Sequence, residues 1–388
     1  MGEDGGMSYS LVKLKDISHI KTGKLDSNAA VLNGEYPFFT CDPNTLRINT
    51  WAYDTEAVLL AGNNASGNYT AKYYKGKFNA YQRVYIIEVA NNEQINARYL
   101  CYALNQQLQF LKQISTGSTT KFLTLGMLLG LTIPLPAPEK QKNIVAILAA
   151  YDNLIENNQK QIKLLEEAAQ RLYKEWFVDL RFPGYENTKI VDGVPEGWTK
   201  RLLGDVVSFN PTVKLTKKRI KQNVPMSALS TTSMILDASE FTHTTSNAGS
   251  KFQNGDTLLA RITPCLENGK TAFAMGIESS EGAVGSTEFI VMRSQDINPY
   301  MVYLLARTND FRKNAINSMT GSDGRQRVQV DKLRTLSYIK PTAQLVERFE
   351  ASVAPLFMQI QEKNRMNQYL KQSHDRLLPR LMNGELEV

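Results

Sequence analysis

IVAILAAYDNLIENNQKQIKLLEEAAQRLYKEW, residues 144–176, places apolar or aromatic side chains at Ile144, Leu148, Tyr151, Ile155, Ile162, Leu165, Ala169, Leu172 and Trp176. The steps between them alternate four and three, the spacing of a heptad seam by which one helix lies along another. Residues 349–381, FEASVAPLFMQIQEKNRMNQYLKQSHDRLLPRL, read the same way at an offset of 205, with Phe349, Val353, Leu356, Ile360, Leu370, Leu377 and Leu381 on the seam. A polar residue interrupts each seam at the same point, Asn158 and Lys363. Such a residue costs stability but can fix register and partner choice. His374 also falls on the seam and is expected to pack there. The repeat extends upstream: Thr116-Gly117-Ser118 returns as Thr320-Gly321-Ser322, and Pro136 as Pro341. The chain is therefore a unit of globular part plus long helix, duplicated once. The matched seams predict two helices packed antiparallel. Residues 139–176 alone would span roughly 57 Å at about 1.5 Å per residue.

Composition agrees with this plan. The 388 residues suffice for two domains of ordinary size and two long helices, and 42% hydrophobic and 21% charged residues are values of a folded globular chain. No apolar run approaches the roughly 18 residues of a membrane span, and no signal peptide is recognisable. Met1 to Gly6 reads as a flexible leader or cloning remnant, with Met7 a plausible natural start. Cys41, Cys101 and Cys265 stand far apart and the chain has three histidines. A disulfide framework or a zinc site is not expected, and a reducing cytoplasm is the default. Residues 177–341 carry 21 basic against 16 acidic side chains, whereas 139–176 balance at 6 and 6. The net charge of +7 thus lies mainly in the globular parts, above all in Lys214, Lys217, Lys218, Arg219 and Lys221. A polyanionic partner would suit that surplus.

Each globular half reads as strand-rich. Ala57 to Ala61 matches Thr257 to Arg261, and Val84 to Ile87 matches Phe289 to Met292, as buried strands. Helical stretches follow at Ala97–Ile114 and Pro299–Ile316, then the Thr-Gly-Ser loops. Arg181-Phe182-Pro183-Gly184 is expected to stop the first long helix, and Pro379 to kink or shorten the second. Enzyme motifs fail. Leu266 to Thr271 ends like a phosphate-binding loop, but Pro264 replaces its first glycine, and Asn298-Pro299 reads as a helix cap. No nucleophile, base and orienting group can be assembled, and no metal site is expected.

What remains is a pair of polar, basic loop sets suited to DNA. In the first half the candidates are Lys21, Lys24, Asn63, Asn64, Tyr69, Tyr73, Lys75, Lys77, Arg83, Thr116, Ser118 and Lys121. In the second they are Lys214, Lys217, Lys218, Arg219, Arg261, Lys270, Thr320, Ser322, Arg325, Gln326 and Arg327. Arg, Lys, Asn and Gln read base edges in the major groove, and loop lysines hold phosphates.

Three motifs carry a family resemblance: Tyr151-Asp-Asn-Leu-Ile-Glu-Asn-Asn158, Trp176-Phe-Val-Asp-Leu-Arg-Phe-Pro-Gly184 with Pro195-Glu-Gly-Trp198, and Leu377-Leu-Pro-Arg-Leu-Met-Asn-Gly-Glu-Leu386. With the tandem plan they resemble the specificity subunit of type I restriction–modification systems over essentially the whole chain. The resemblance implies an α+β fold, with two tandem mixed α/β target recognition domains separated by two long antiparallel coiled-coil helices. The expected boundaries are 1–138 and 185–340 for the recognition domains, and 139–184 and 341–388 for the helices. It further implies a non-catalytic subunit that binds a split site on double-stranded DNA and recruits two methylase subunits and restriction subunits. S-adenosylmethionine would then bind the methylase partner and not this chain. The alternative is a coiled-coil scaffold whose globular halves bind protein.

Overall fold

The computed structural model describes residues 9–65, 67–117, 120–322 and 324–388. The expected leader with Met7, and Ser118 of the first Thr-Gly-Ser loop, lie outside the described residues. Two compact units divide the chain, one running to Ile155 and including Tyr369–Val388, the other formed by Glu156–Gln368.

The first unit begins with β1 (Ser10–Lys13), α1 (Leu14–Ile17), β2 (Ser18–Thr22), β3 (Tyr36–Phe39), β4 (Leu46–Ile48) and β5 (Tyr53–Ala61). It continues with β6 (Asn63–Asn64), β7 (Ala71–Ala80), β8 (Val84–Val89), α2 (Ala97–Gln106), α3 (Leu108–Ile114), β9 (Lys121–Phe122), α4 (Leu125–Leu129) and β10 (Thr132–Leu135). The long helix α5 (Pro138–Tyr173) follows. A six-stranded sheet in the order β2-β8-β5-β7-β3-β4 forms the body. The apolar run in β5 exists because the sheet is covered on both faces. Ala57 and Leu59 enter one core with Phe39, Phe78 and Ile86. Val58 and Leu60 enter the other with Ile87, Tyr99 and Leu100. Ile144 and Leu148 of α5 lie in this second core beside Leu381 and Met382.

The second unit repeats the scheme with β11 (Ile190–Val191), β12 (Val194–Pro195), β13 (Thr199–Leu202), α6 (Leu203–Val206), β14 (Val207–Phe209), β15 (Lys221–Val224), β16 (Thr242–Thr244) and β17 (Ser250–Phe252). Then come β18 (Thr257–Ala260), β19 (Thr271–Phe273), β20 (Ala283–Gly285), β21 (Phe289–Ser294), α7 (Pro299–Ala306), α8 (Asn309–Asn317), α9 (Val330–Arg334), β22 (Ser337–Lys340) and α10 (Ala343–Met382). The order β14-β21-β18-β19 reproduces β2-β8-β5-β7. The pairing of β13 with β22 reproduces that of β1 with β10. Where the first unit has one ten-residue strand β7, the second splits the role. Here β19 pairs with β18, and β20 receives β15 in parallel as β7 receives β3. Asn298 caps α7 by accepting from the Met301 amide at 2.9 Å, with Pro299 at the first helical position, as expected. Both expected helical stretches are broken once, at Gln107 and at Arg307–Thr308, because Thr308 caps a new helix through the Phe311 amide.

None of the twenty seam positions is exposed. In the second unit Asn158 meets Asn367 and Trp176 meets Phe349, so rising numbers on α5 oppose falling numbers on α10 and the pairing is antiparallel. Three sequence expectations change. The partner of Asn158 is Asn367, whose amide oxygen accepts from Asn158 Nδ2 at 2.9 Å, and Lys363 is half-buried beside no such partner among the described residues. Helix α5 stops at Tyr173, ahead of Pro183, because Lys174–Val178 widen into a π turn. Leu180 then takes a left-handed φ of 56°, with Lys174 bound to Asp179 at 2.6 Å. That turn drives Trp176 and Phe177 against Phe349, and Phe177 and Phe182 against Trp198. Pro379 does not shorten α10, which runs to Met382, since a proline so near the helix end frees few carbonyls. His374 packs as expected, with its ring 6.0 Å from that of Tyr102 and Nε2 3.7 Å from Asp152.

Candidate nucleic-acid interface

The repeated Thr-Gly-Ser sequences are the same hairpin, bond for bond. In the first unit the Thr116 amide donates to the Phe122 carbonyl at 3.2 Å and the Phe122 amide returns the bond at 2.8 Å. In the second, Thr320 and Arg327 exchange the same pair at 3.1 and 2.9 Å. Each hairpin is stitched to the segment leaving the central strand: the Leu123 amide donates to the Gly62 carbonyl at 2.8 Å, and the Val328 amide to the Arg261 carbonyl at 3.0 Å. Gly117 and Gly321 turn the loops at φ of 105° and 132°, a region that side chains rarely enter.

Around the first hairpin the structure gathers Asn63 and Asn64 (β6), Thr116, and Lys121 (β9), through the pairs Asn63–Phe122 and Asn64–Lys121. It adds a residue that the sequence reading missed. Lys112, in the last turn of α3, donates to Asn68 Oδ1 at 2.7 Å. A Cβ on Gly67 would lie 3.2 Å from Lys112 and 3.4 Å from Lys121, so the two cations flank one small residue. The only signal for Lys112 was its place four residues before Thr116. Phe122 is left exposed on this hairpin.

Around the second hairpin lie Arg261, Thr320, Ser322, Arg325, Gln326 and Arg327. Arg327 forks onto Glu288 at 2.7 and 3.0 Å, and those hydrogen bonds hold the Glu288 carboxyl below its usual range. The Gln326 amide donates to Thr263 Oγ1 at 3.2 Å, while Ser322 and Arg325 face solvent. The Nε of Arg261 is buried without a hydrogen-bond acceptor among the described residues. The loop thus presents several donors on a backbone fixed at both ends.

The other candidates are dispersed. Lys21 pairs with Glu88 at 2.9 Å and lies over Tyr53; Lys75 pairs with Glu56 at 3.1 Å; Lys77 lies over Trp51. Lys24 and Arg83 are exposed. Tyr69 is in the core at 4% exposure, where its ring packs with Val58 and Leu60, so it offers no surface. Tyr73 donates to Glu56 at 2.8 Å and stacks under Arg98, and burial followed by that bond pushes its hydroxyl up to about 12. Lys270 spends its ammonium on the Met226 carbonyl at 2.9 Å. Lys214, Lys217, Lys218 and Arg219 are exposed on one loop, but Lys221 is buried, because its ammonium finds three acceptors inside that loop. No group of three metal-ligating side chains occurs among the described residues, and no described helix is long and apolar enough to cross a membrane.

This architecture belongs to a known class of DNA-specificity module. Residues 8–167 match the family described as the type I restriction modification DNA specificity domain. The chain is 32% identical over 216 residues to the type I restriction enzyme EcoDI specificity subunit of Escherichia coli, covering 50% of this chain and 47% of that protein. It is 26% identical over 301 residues to the MjaIX specificity subunit of Methanocaldococcus jannaschii, covering 75% and 68%. The match thus spans about half the length of the first relative and two thirds of the second. The crystal structure of the type I restriction–modification S subunit from M. genitalium shares the fold, with a TM-score of 0.59, 14% identity and 98% of each chain covered. The resemblance carried by the sequence motifs is borne out: the relatives of this chain are type I specificity subunits.

Proposed function

We propose that this chain is the sequence-specific DNA-binding specificity subunit of a type I restriction–modification complex, acting in the cytoplasm without catalytic chemistry of its own. The observation that supports this best is the match of residues 8–167 to a DNA specificity domain, joined to the recurrence of its loop hairpin in the second unit. In this reading residues 1–138 and 185–340 are target recognition domains, each reading half of a split site on double-stranded DNA. The helical regions 139–184 and 341–388 set the spacing and recruit two methylase subunits and, for cleavage, restriction subunits. S-adenosylmethionine belongs to the methylase partner. Around the hairpins Asn63, Asn64, Lys121, Arg325 and Gln326 are the side chains of the right chemistry for base edges and phosphates.

Gel-shift of the full chain, alone and with a methylase partner, tests the proposal. Duplex binding that weakens steeply with salt, and methylation of one bipartite sequence with the partner, are expected. A chain that binds no duplex in either state would contradict it.

A further inference from the structure

The loop between β14 and β15 in the second unit carries more structure than a solvated basic loop needs. Val213 and Leu215 tuck against Val284, so the alternation turns Lys214 outward. The turn Lys217–Lys218 follows, with Lys218 held at a left-handed φ of 61°. Lysine has no intrinsic preference for that conformation, so the surroundings must impose it. They do so from two sides. Glu281 accepts from the Thr216 amide at 2.9 Å, the Thr216 hydroxyl at 3.0 Å and Arg219 at 2.8 Å. On the other side the buried Lys221 ammonium donates to the Thr216 carbonyl at 3.2 Å, the Thr245 carbonyl at 3.4 Å and Asn247 Oδ1 at 2.6 Å. Asn247 in turn donates to the Leu215 carbonyl at 3.0 Å. Lys214, Lys217 and Lys218 are the exposed residue of this arrangement, with no carboxylate paired to any of them among the described residues.

We propose that Lys214, Lys217 and Lys218 form a preorganised clamp for the phosphate backbone of duplex DNA, and that Glu281 and Lys221 are positioning residues that hold it. This rests on the DNA-binding reading above. The corresponding segment of the first unit, Gly23 to Gly34, has Lys24 alone, so the clamp belongs to the second unit. Because it touches phosphates only, it adds affinity and not sequence choice.

The test uses the full chain and a random-sequence duplex across a salt series. The triple variant K214Q/K217Q/K218Q should lower the slope of log affinity against log salt by about 2.7, at about 0.9 for each phosphate released. Affinity for the specific site should fall by the same factor as for random duplex. E281A provides the discriminating arm. Removing an acid near DNA should tighten binding if Glu281 acts through charge alone, whereas loss of the staple should weaken it, with E281D recovering part of the effect. An unchanged slope in the triple variant, or tighter binding by E281A, overturns the clamp while leaving the DNA reading intact. Absence of salt-dependent duplex binding by the unaltered chain overturns both.

Discussion

Asn158 sits at 3% exposure in a seam otherwise built of aliphatic side chains, and its amide donates to Asn367. Asn158→Ala should destabilise the second unit by about 1–3 kcal/mol, because Asn367 would keep a carbonyl that has lost its donor. Replacing both by Leu should cost less than the single change, since no half-buried amide is then left unpaired. Calorimetric melting of the three proteins checks the order, and a double variant less stable than the single would contradict it. The polar interruption at Asn158 was legible from spacing, but its partner was not. Asn367 occupies the position equivalent to Ile162, and only the antiparallel register brings it opposite Asn158. Tyr69 failed for a related reason: nothing in its loop context separates a surface tyrosine from one folded back over Val58 and Leu60. At the second hairpin, Glu288 titrates below its usual range because of Arg327. Its folded pKa lies under its unfolded one, so its contribution is fully present above about pH 4.3 and is lost as the pH falls through the lower folded value. Amide exchange at Thr320 and Arg327 should therefore quicken on acidification, and Glu288→Gln should remove that dependence. Exchange that is equally acid-sensitive in the variant would assign the effect elsewhere.

At the scale of elements, the hairpins and the helix α10 make distinct predictions. A Cβ on Gly117 would lie 2.0 Å from the Thr120 carbonyl oxygen, at a φ of 105°. Gly117→Ala should thus open the first hairpin, at a cost of about 1–3 kcal/mol in backbone strain alone. Faster exchange of the Thr116 and Phe122 amides, with the Thr320 hairpin unchanged, is the expected signature; a loss of both hairpins would show that the effect is global. Pro355 lies inside α10, where its missing N–H leaves the Ala351 carbonyl without its helical donor. Pro355→Ala should stabilise the helix by up to about 3 kcal/mol, read as a raised melting temperature, unless packing has adapted to the proline. A lowered temperature would show that adaptation. Ile360 is fully buried and Ile155 only half-buried, so Ile360→Asp should be the more damaging of the two. The repeat announced both hairpins in the sequence, because glycine chemistry is local. Their anchoring to the Gly62 and Arg261 carbonyls was hidden, because that pairing joins segments roughly sixty residues apart. The aromatic motif from Trp176 to Gly184 was visible as a signature, and its role in packing against Phe349 and Trp198 emerged only with the fold.

For the whole molecule, the duplication is the organising fact, and it was readable because a heptad seam repeats with few exceptions over thirty residues. Which loops touch DNA was not readable, since base choice depends on loop geometry and groove shape. If the helical regions set the spacing of the half-sites, seven residues inserted after Asn158 and seven after Lys363 would preserve both seams and lengthen each helix by about 10.5 Å. The unspecified spacer should grow by about 3 base pairs while both half-sequences stay the same. Robust modification at the original spacing would rule that out. The central claim is that each unit reads its own half of the site, and the most direct measurement is methylome sequencing of cells carrying a hybrid subunit with its methylase. The hybrid has residues 1–138 exchanged for the corresponding region of another specificity subunit. One half of the bipartite sequence should change and the other half should remain; a change in both halves, or in neither, would contradict the account.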